Sequence, residues 1–206
     1  MDRIRILVAD DHSVMRMGLV ALFETEADFS VVGEAEDGQE AIALASKLRP
    51  DVIVMDVAMP VMDGVSATAA IHKTLPDTNI LVLTTVATSD VLAKALSSGA
   101  RGALLKNAAN EEIIAAIRSV ARGESAVSAE ICQIIDEDPP APELTVRQKD
   151  VLSSIIRGLT NRDISTQLGI CPDRVKDHIN AIMQKLGAAN RAEAVAIALR
   201  KHLLKI

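Results

Sequence analysis

The chain has 206 residues, enough for two modest domains, and 49% of them are hydrophobic, so a substantial core can form. Phe23 and Phe29 are its only aromatic residues besides histidine, which excludes an aromatic platform for stacking nucleic-acid bases and leaves the core to Ala, Val, Ile, Leu and Met. The net charge of −6 conceals an asymmetry: residues 1–142 hold 11 Lys and Arg against 22 Asp and Glu, a balance of −11, whereas residues 143–206 hold 11 against 6, a balance of +5.

The first nine residues carry Asp2, Arg3 and Arg5, a pattern too short and too charged for a signal peptide. Arg5–Ala9 predicts a first strand, with Asp10 and Asp11 at its end. Ser13–Thr25 has helical periodicity. Phe29–Gly33 is a second strand and Gln39–Leu48 a second helix. Val52–Met55 is a continuous apolar run, as in a strand buried on both faces, and it ends at Asp56. Pro60 and the turn Met62-Asp63-Gly64 lead into a helix over Val65–Thr74. Asn79–Leu83 is a fourth strand ending at Thr84. It lies within the longest uncharged stretch, Thr78–Ser89, which falls far short of the ~20 apolar residues of a membrane helix. Ser89–Ser98 predicts a helix closed by Gly99, and Gly102–Leu105 a fifth strand ending at Lys106. Asn110–Arg122 is a helix with acids early and bases late, as the macrodipole prefers.

Strands alternating with helices over residues 1–122 predict an α/β doubly wound parallel sheet of five strands. Residues 123–143 read as a linker with a short helix over Ser128–Ile135 and then an acidic, Pro-rich exposed spacer. Residues 144–206 predict a small all-α domain. Thr145 and Gln148 form a capping box for a helix to Arg157, and Thr160 and Asp163 repeat it for a helix to Leu168. After the Gly169-Ile170-Cys171 turn, Pro172 opens a helix to Leu186, and Asn190 caps a last helix through His202. Two helices joined by a short Gly-containing turn make a helix-turn-helix pattern. Cys132 and Cys171 give no disulfide framework, and a cytoplasmic protein is expected.

Asp10, Asp11, Asp56, Thr84 and Lys106 all stand at the same end of one parallel sheet, where ligands of open α/β sheets bind. Three neighbouring carboxylates repel, so one must protonate or a cation must bind, and oxygen donors favour Mg²⁺. Asp56 could then attack a phosphoryl donor, with Lys106 supplying charge and the Thr84 hydroxyl a hydrogen bond to the phosphate. An enzyme turning over at Asp56 would need a separate substrate pocket or acid–base residue, and the sequence displays neither.

The motifs Asp-Asp, M-D-x-x-M-P-x-M-D-G, L-T-T and S-G-A-x-G-x-L-L-K, in this order over residues 1–122, resemble the receiver domain of bacterial response regulators. The resemblance implies a flavodoxin-like sheet of order 2-1-3-4-5, with Asp56 as phospho-acceptor. Asp10, Asp11, Asp56 and the Ala58 backbone carbonyl become Mg²⁺ ligands, and Thr84 and Lys106 switch residues. One departure stands out. The family carries an aromatic residue three before the lysine, whose ring moves inward as the threonine turns to the phosphate; here the position is Ala103. Val86 replaces a second, often aromatic residue. Weakened or altered coupling from Asp56 to output is the expectation.

The pattern L-T-x-R…G-L-T-N-x-x-I-S-x-x-L-G-I…V-K-x-H-I…K-L-G-A-x-N-R-x-E-A-V over residues 144–204 resembles the LuxR-type DNA-binding domain. The two halves together are similar to a NarL/FixJ-type response regulator. The implied function is a two-component regulator, phosphorylated at Asp56 by a sensor histidine kinase, that binds double-stranded DNA as a homodimer and controls transcription. Val175, Ile179, Ile182, Met183 and Leu186 form the core stripe of the 172–186 helix. Lys176 and Asn180 could reach base edges, Arg174 and Lys185 phosphates, and Asp177 and Gln184 share the outer face. Cys171 stands where the family has a serine cap, and two acids, Asp173 and Asp177, face the DNA side. Weaker or more selective DNA binding is expected.

Overall fold

The computed structural model describes residues 3–85, 88–140, 143–201 and 203. The chain divides into two compact units, Met1–Pro139 and Pro140–Ile206.

The first unit alternates strands and helices: β1 (Ile4–Ala9), α1 (Ser13–Glu24), β2 (Phe29–Ala35), α2 (Gly38–Leu48), β3 (Val52–Met55), α3 (Gly64–Thr74), β4 (Asn79–Thr84), α4 (Ser89–Ser97), β5 (Gly102–Leu105), α5 (Asn110–Ala121), β6 (Ala126–Val127) and α6 (Ala129–Glu137). All strand pairs are parallel, in the order β2-β1-β3-β4-β5-β6. The sheet therefore has six strands, where sequence periodicity predicts five. The extra strand is two residues long, too short to display alternation, and it adds to the β5 edge through Gly102↔Ala126 and Ala103↔Val127. Gly102 makes this approach feasible, because a Cβ there would stand 2.6 Å from the Ala126 carbonyl oxygen.

Strand residues alternate between two cores. Leu7, Ile53, Met55, Ile80, Val82, Ala103 and Leu105 pack with Ala41 and Ala45 of α2, Ala67 and Ile71 of α3, Leu92 and Ala95 of α4, and Ile131 of α6. Ile6, Val8, Val52, Val54, Leu81, Leu83 and Leu104 pack with α1 and α5 on the other face. Each fully buried Val, Leu or Ile contributes ~1.5–3 kcal/mol relative to exposure, so burial on both faces explains why these strands read as apolar runs. Phe23 and Phe29 meet edge to face at 6.1 Å in the second core. The linker helix is longer than its sequence suggests: Asp136 and Glu137, though exposed, lie inside α6, which Ser128 caps.

The second unit holds α7 (Val146–Ile156), α8 (Asn161–Leu168), α9 (Pro172–Leu186) and α10 (Arg191–Arg200) around a core of Leu144, Val151, Leu152, Ile155, Ile164, Val175, Ile179, Ile182 and Ala198. Both capping boxes form: the Gln148 amide donates to Thr145 Oγ1 and the Asp163 amide to Thr160 Oγ1, each at 3.3 Å. Gly169 ends α8 at φ 62°, a left-handed turn into α9.

Candidate functional site

The β1–β3 pairing (Ala9↔Met55) sets Asp10 and Asp56 side by side just past the strand ends. Both are almost fully buried. The Asp56 amide donates to the Ala9 carbonyl at 2.8 Å, and the Val57 amide donates to Asp56 Oδ1 at 2.7 Å. The loop leaving Asp56 folds back tightly, with the Gly64 amide donating to the Val57 carbonyl at 2.9 Å. Within it, exposed Val61 takes φ 60°, a conformation strained for a β-branched residue. Ala58 is also exposed on this loop, two residues beyond Asp56.

Lys106 follows β5, whose pairing to β4 matches Leu105 with Thr84. Its ammonium lies 2.8 Å from Asp56 Oδ2 and 2.7 Å from Asp10 Oδ2. The side chain is only 9% exposed. Burial acts to lower the Lys106 pKa, but the hydrogen bonds and charges of Asp10 and Asp56 outweigh it and hold the ammonium above its usual range. Thr84, wholly buried, closes β4, and its carbonyl accepts from the Lys106 amide at 2.9 Å. Val86 lies outside the described residues.

Asp11 is the more solvated acid, 29% exposed, with His12 Nδ1 2.8 Å from its Oδ1. Ligand atoms of Asp10, Asp11, His12 and Asp56 all lie within 4.8 Å of one another. One ammonium among three carboxylates leaves two negative charges in excess. That oxygen-rich, anionic donor set fits a hard divalent cation such as Mg²⁺.

Sequence reasoning missed Arg16. It is buried on α1, donates to the Asp10 carbonyl at 2.7 Å, and bonds Glu34 near the end of β2 and Glu36 just beyond it. Six residues past Asp10 on an amphipathic helix, it carries no signal beyond a charge on a mostly apolar face. A cleft of about 280 Å³ lies apart from the acids, between the loop after Lys106 and the first turn of α6.

In the second unit, α9 buries Val175, Ile179 and Ile182, with Met183 and Leu186 half-buried. Arg174, Lys176, Asp177, Asn180, Gln184 and Lys185 are exposed on it. Lys176 stands 3.6 Å from Asp173, one turn earlier. The Lys185 ammonium instead donates to the Glu143 carbonyl at 2.7 Å and to Gln148 Oε1 at 3.1 Å, tying the end of α9 to the start of α7. Cys171 takes the N-cap position of α9 with no side-chain cap bond.

An α/β unit with buried acids and a lysine at its strand ends, ahead of a basic helix-turn-helix unit, defines a phosphorylation-type signalling protein with a DNA-binding output. Residues 6–118 match the response regulator receiver domain, and residues 142–198 match the bacterial regulatory proteins, luxR family. The transcriptional regulatory protein LiaR of Bacillus subtilis is 38% identical over 98% of this chain and 99% of its own length. The response regulator protein VraR of Staphylococcus aureus is 35% identical over the same shares. The crystal structure of the response regulator ChrA, from a heme-sensing two-component system, superposes with a TM-score of 0.60 at 31% identity, covering 99% of this chain and 100% of that one. The chain belongs to the response regulators that join a receiver domain to a LuxR-type DNA-binding domain. Phosphorylation-dependent DNA binding and transcriptional control are the function of that family.

Proposed function

We propose that Asp56 is the phospho-acceptor, charged by a sensor histidine kinase, and that the aspartyl phosphate promotes a homodimer that binds a specific DNA sequence through α9. The observation that carries this reading is the Lys106 ammonium shared between two buried carboxylates at the rim of the sheet. An Asp56 oxygen forms the new P–O bond as the P–N bond of the donor phosphohistidine breaks and its imidazole leaves. Lys106, already bonded to Asp56 Oδ2, neutralises charge on the phosphoryl oxygens. The Val57 amide fixes the other Asp56 oxygen, so the carboxylate is oriented before the donor arrives. Thr84 supplies a hydroxyl from the neighbouring strand end. Asp10, Asp11, Asp56 and the Ala58 carbonyl would hold Mg²⁺, which supplies positive charge against the clustered carboxylates and the incoming phosphate. Arg16 acts as a positioning residue, holding the Asp10 backbone from α1.

On the DNA side, Lys176, Asp177, Asn180 and Gln184 read the major groove and Arg174 contacts phosphate. Lys185 serves chiefly to brace α9 against α7. The two units fold from separate cores, with residues 1–142 at −11 and residues 143–206 at +5, which suits a cation-dependent switch ahead of a DNA reader. Titrating a selected operator into the full-length protein by fluorescence anisotropy tests the coupling. A small phosphodonor with Mg²⁺ tightens binding about tenfold in the wild type and not in Asp56→Ala. Equal tightening in both proteins would overturn the assignment.

A further inference from the structure

Ala103 lies at the centre of β5, fully buried, in the same packed cluster as Leu92 and Ala95 of α4, Leu105, and Ile131 of α6. A segment beyond the five main strands joins this cluster beside the Ala103 methyl group. β6 pairs alongside Ala103, and the Ser128 amide donates to the Ala103 carbonyl at 3.1 Å. Ser128 then caps α6, which turns Ile131 onto the cluster with no exposed surface, flanked by half-buried Ile134 and Ile135. At its far end, Ser89 Oγ, in the first turn of α4, donates to Asp138 Oδ2 at 3.3 Å. The strap is therefore fastened to the two elements that leave the reactive rim: α4, which begins five residues after Thr84, and β5, which ends beside Lys106.

Resting on the proposed phosphorylation of Asp56, we infer that Ala126–Asp138 is the sensor of that event, with Ile131 over Ala103 as its contact residue. A dianion on Asp56 draws Lys106 and the Thr84 hydroxyl toward it and shifts the ends of β4 and β5. The seat of Ile131 is built from α4 and β5, so it loosens, the Ser89–Asp138 bond is lost, and α6 leaves. The free chain ahead of the DNA-binding unit lengthens, which permits that unit to pair on DNA. The substituted ring position is thus occupied by the output segment itself, and Ala103 is the residue that makes room for it.

Hydrogen exchange on the full-length protein with Mg²⁺, with and without acetyl phosphate, tests the strap, and intact mass in the same samples reports phosphorylation. Amides of Ile131–Asp138 are expected to exchange about tenfold faster in the phosphorylated wild type, with α2 unchanged. Ala103→Phe, which fills the seat, and Ile131→Ala, which empties it, are expected to show that faster exchange and raised DNA affinity without phosphodonor. Ile131→Val is expected to restore both. If Ala103→Phe also loosens α2, Ile131→Ala and its valine rescue decide the question. Mass gain at Asp56 with unchanged protection of α6 would overturn the strap and leave the phosphorylation reading intact. Absence of mass gain would instead overturn the phosphorylation reading. Ile131→Ala with wild-type exchange and DNA affinity would overturn the strap by itself.

Discussion

Gly64 shows how closely the backbone is drawn around Asp56. A Cβ at this position would stand 1.8 Å from the Asp56 carbonyl oxygen, a backbone atom that cannot swing away. Gly64→Ala must push the Asp56 peptide or the start of α3 outward. A loss of about 3 kcal/mol in urea unfolding is expected, the upper end of ordinary overpacking costs. Asp56 itself was readable from sequence because an apolar strand ending in a lone acid is a strong pattern. Lys106 was readable for the same reason. Arg16 was not, since its contacts with Glu34 and Glu36 are long in sequence and all its bonds depend on how α1 lies across β1 and β2. The inward tie of Lys185 was likewise hidden, because a helix-face pattern says which side is exposed but not whom a flexible ammonium meets.

At the scale of elements, Arg118 fastens α5 to the turn before β2. It bonds Asp28 through Nε and Nη2, both at 2.8 Å, bonds Glu26 at 2.7 Å, and stacks 5.2 Å above the Phe29 ring. The Arg118 hydrogen bond holds the Asp28 carboxyl below its usual range, with burial opposing it. A depressed carboxylate stabilises the fold above its unfolded pKa and loses that contribution as pH falls through the folded value. The stability gap between wild type and Arg118→Ala is therefore expected to be full at pH 7 and to shrink below pH ~4. A gap constant across that range would show that packing on Phe29 outweighs the ion pair. α9 offers the opposite case, a missing favourable contact. The Cys171 thiol at its N-cap makes no side-chain cap bond, so Cys171→Ser should stabilise the second unit by about 1 kcal/mol in thermal unfolding. The helices and five main strands follow their sequence periods closely, and the capping residues Thr145, Thr160 and Asn190 each bond the first turn of their helix. β6 escaped because a two-residue strand has no period, and α6 ran longer than expected because acids that resemble a spacer form its last turn.

The whole molecule joins two units with opposite charge and separate cores. Among the described residues, no helix is long and apolar enough to cross a membrane. The first unit brings one lysine and three acids to one rim; the second presents a helix face of mixed charge, where Asp173 partly offsets Lys176. On the proposed DNA face, such acids are expected to cost affinity and add selectivity, since they repel phosphate but can accept from cytosine. Where the phosphoryl group goes decides whether Asp56 is the acceptor. Intact-mass measurement of the full-length protein after incubation with a small phosphodonor and Mg²⁺ addresses this directly. A gain of one phosphoryl group on the wild type, and none on Asp56→Ala, is the result expected. No gain on the wild type, or an equal gain on the variant, would contradict it.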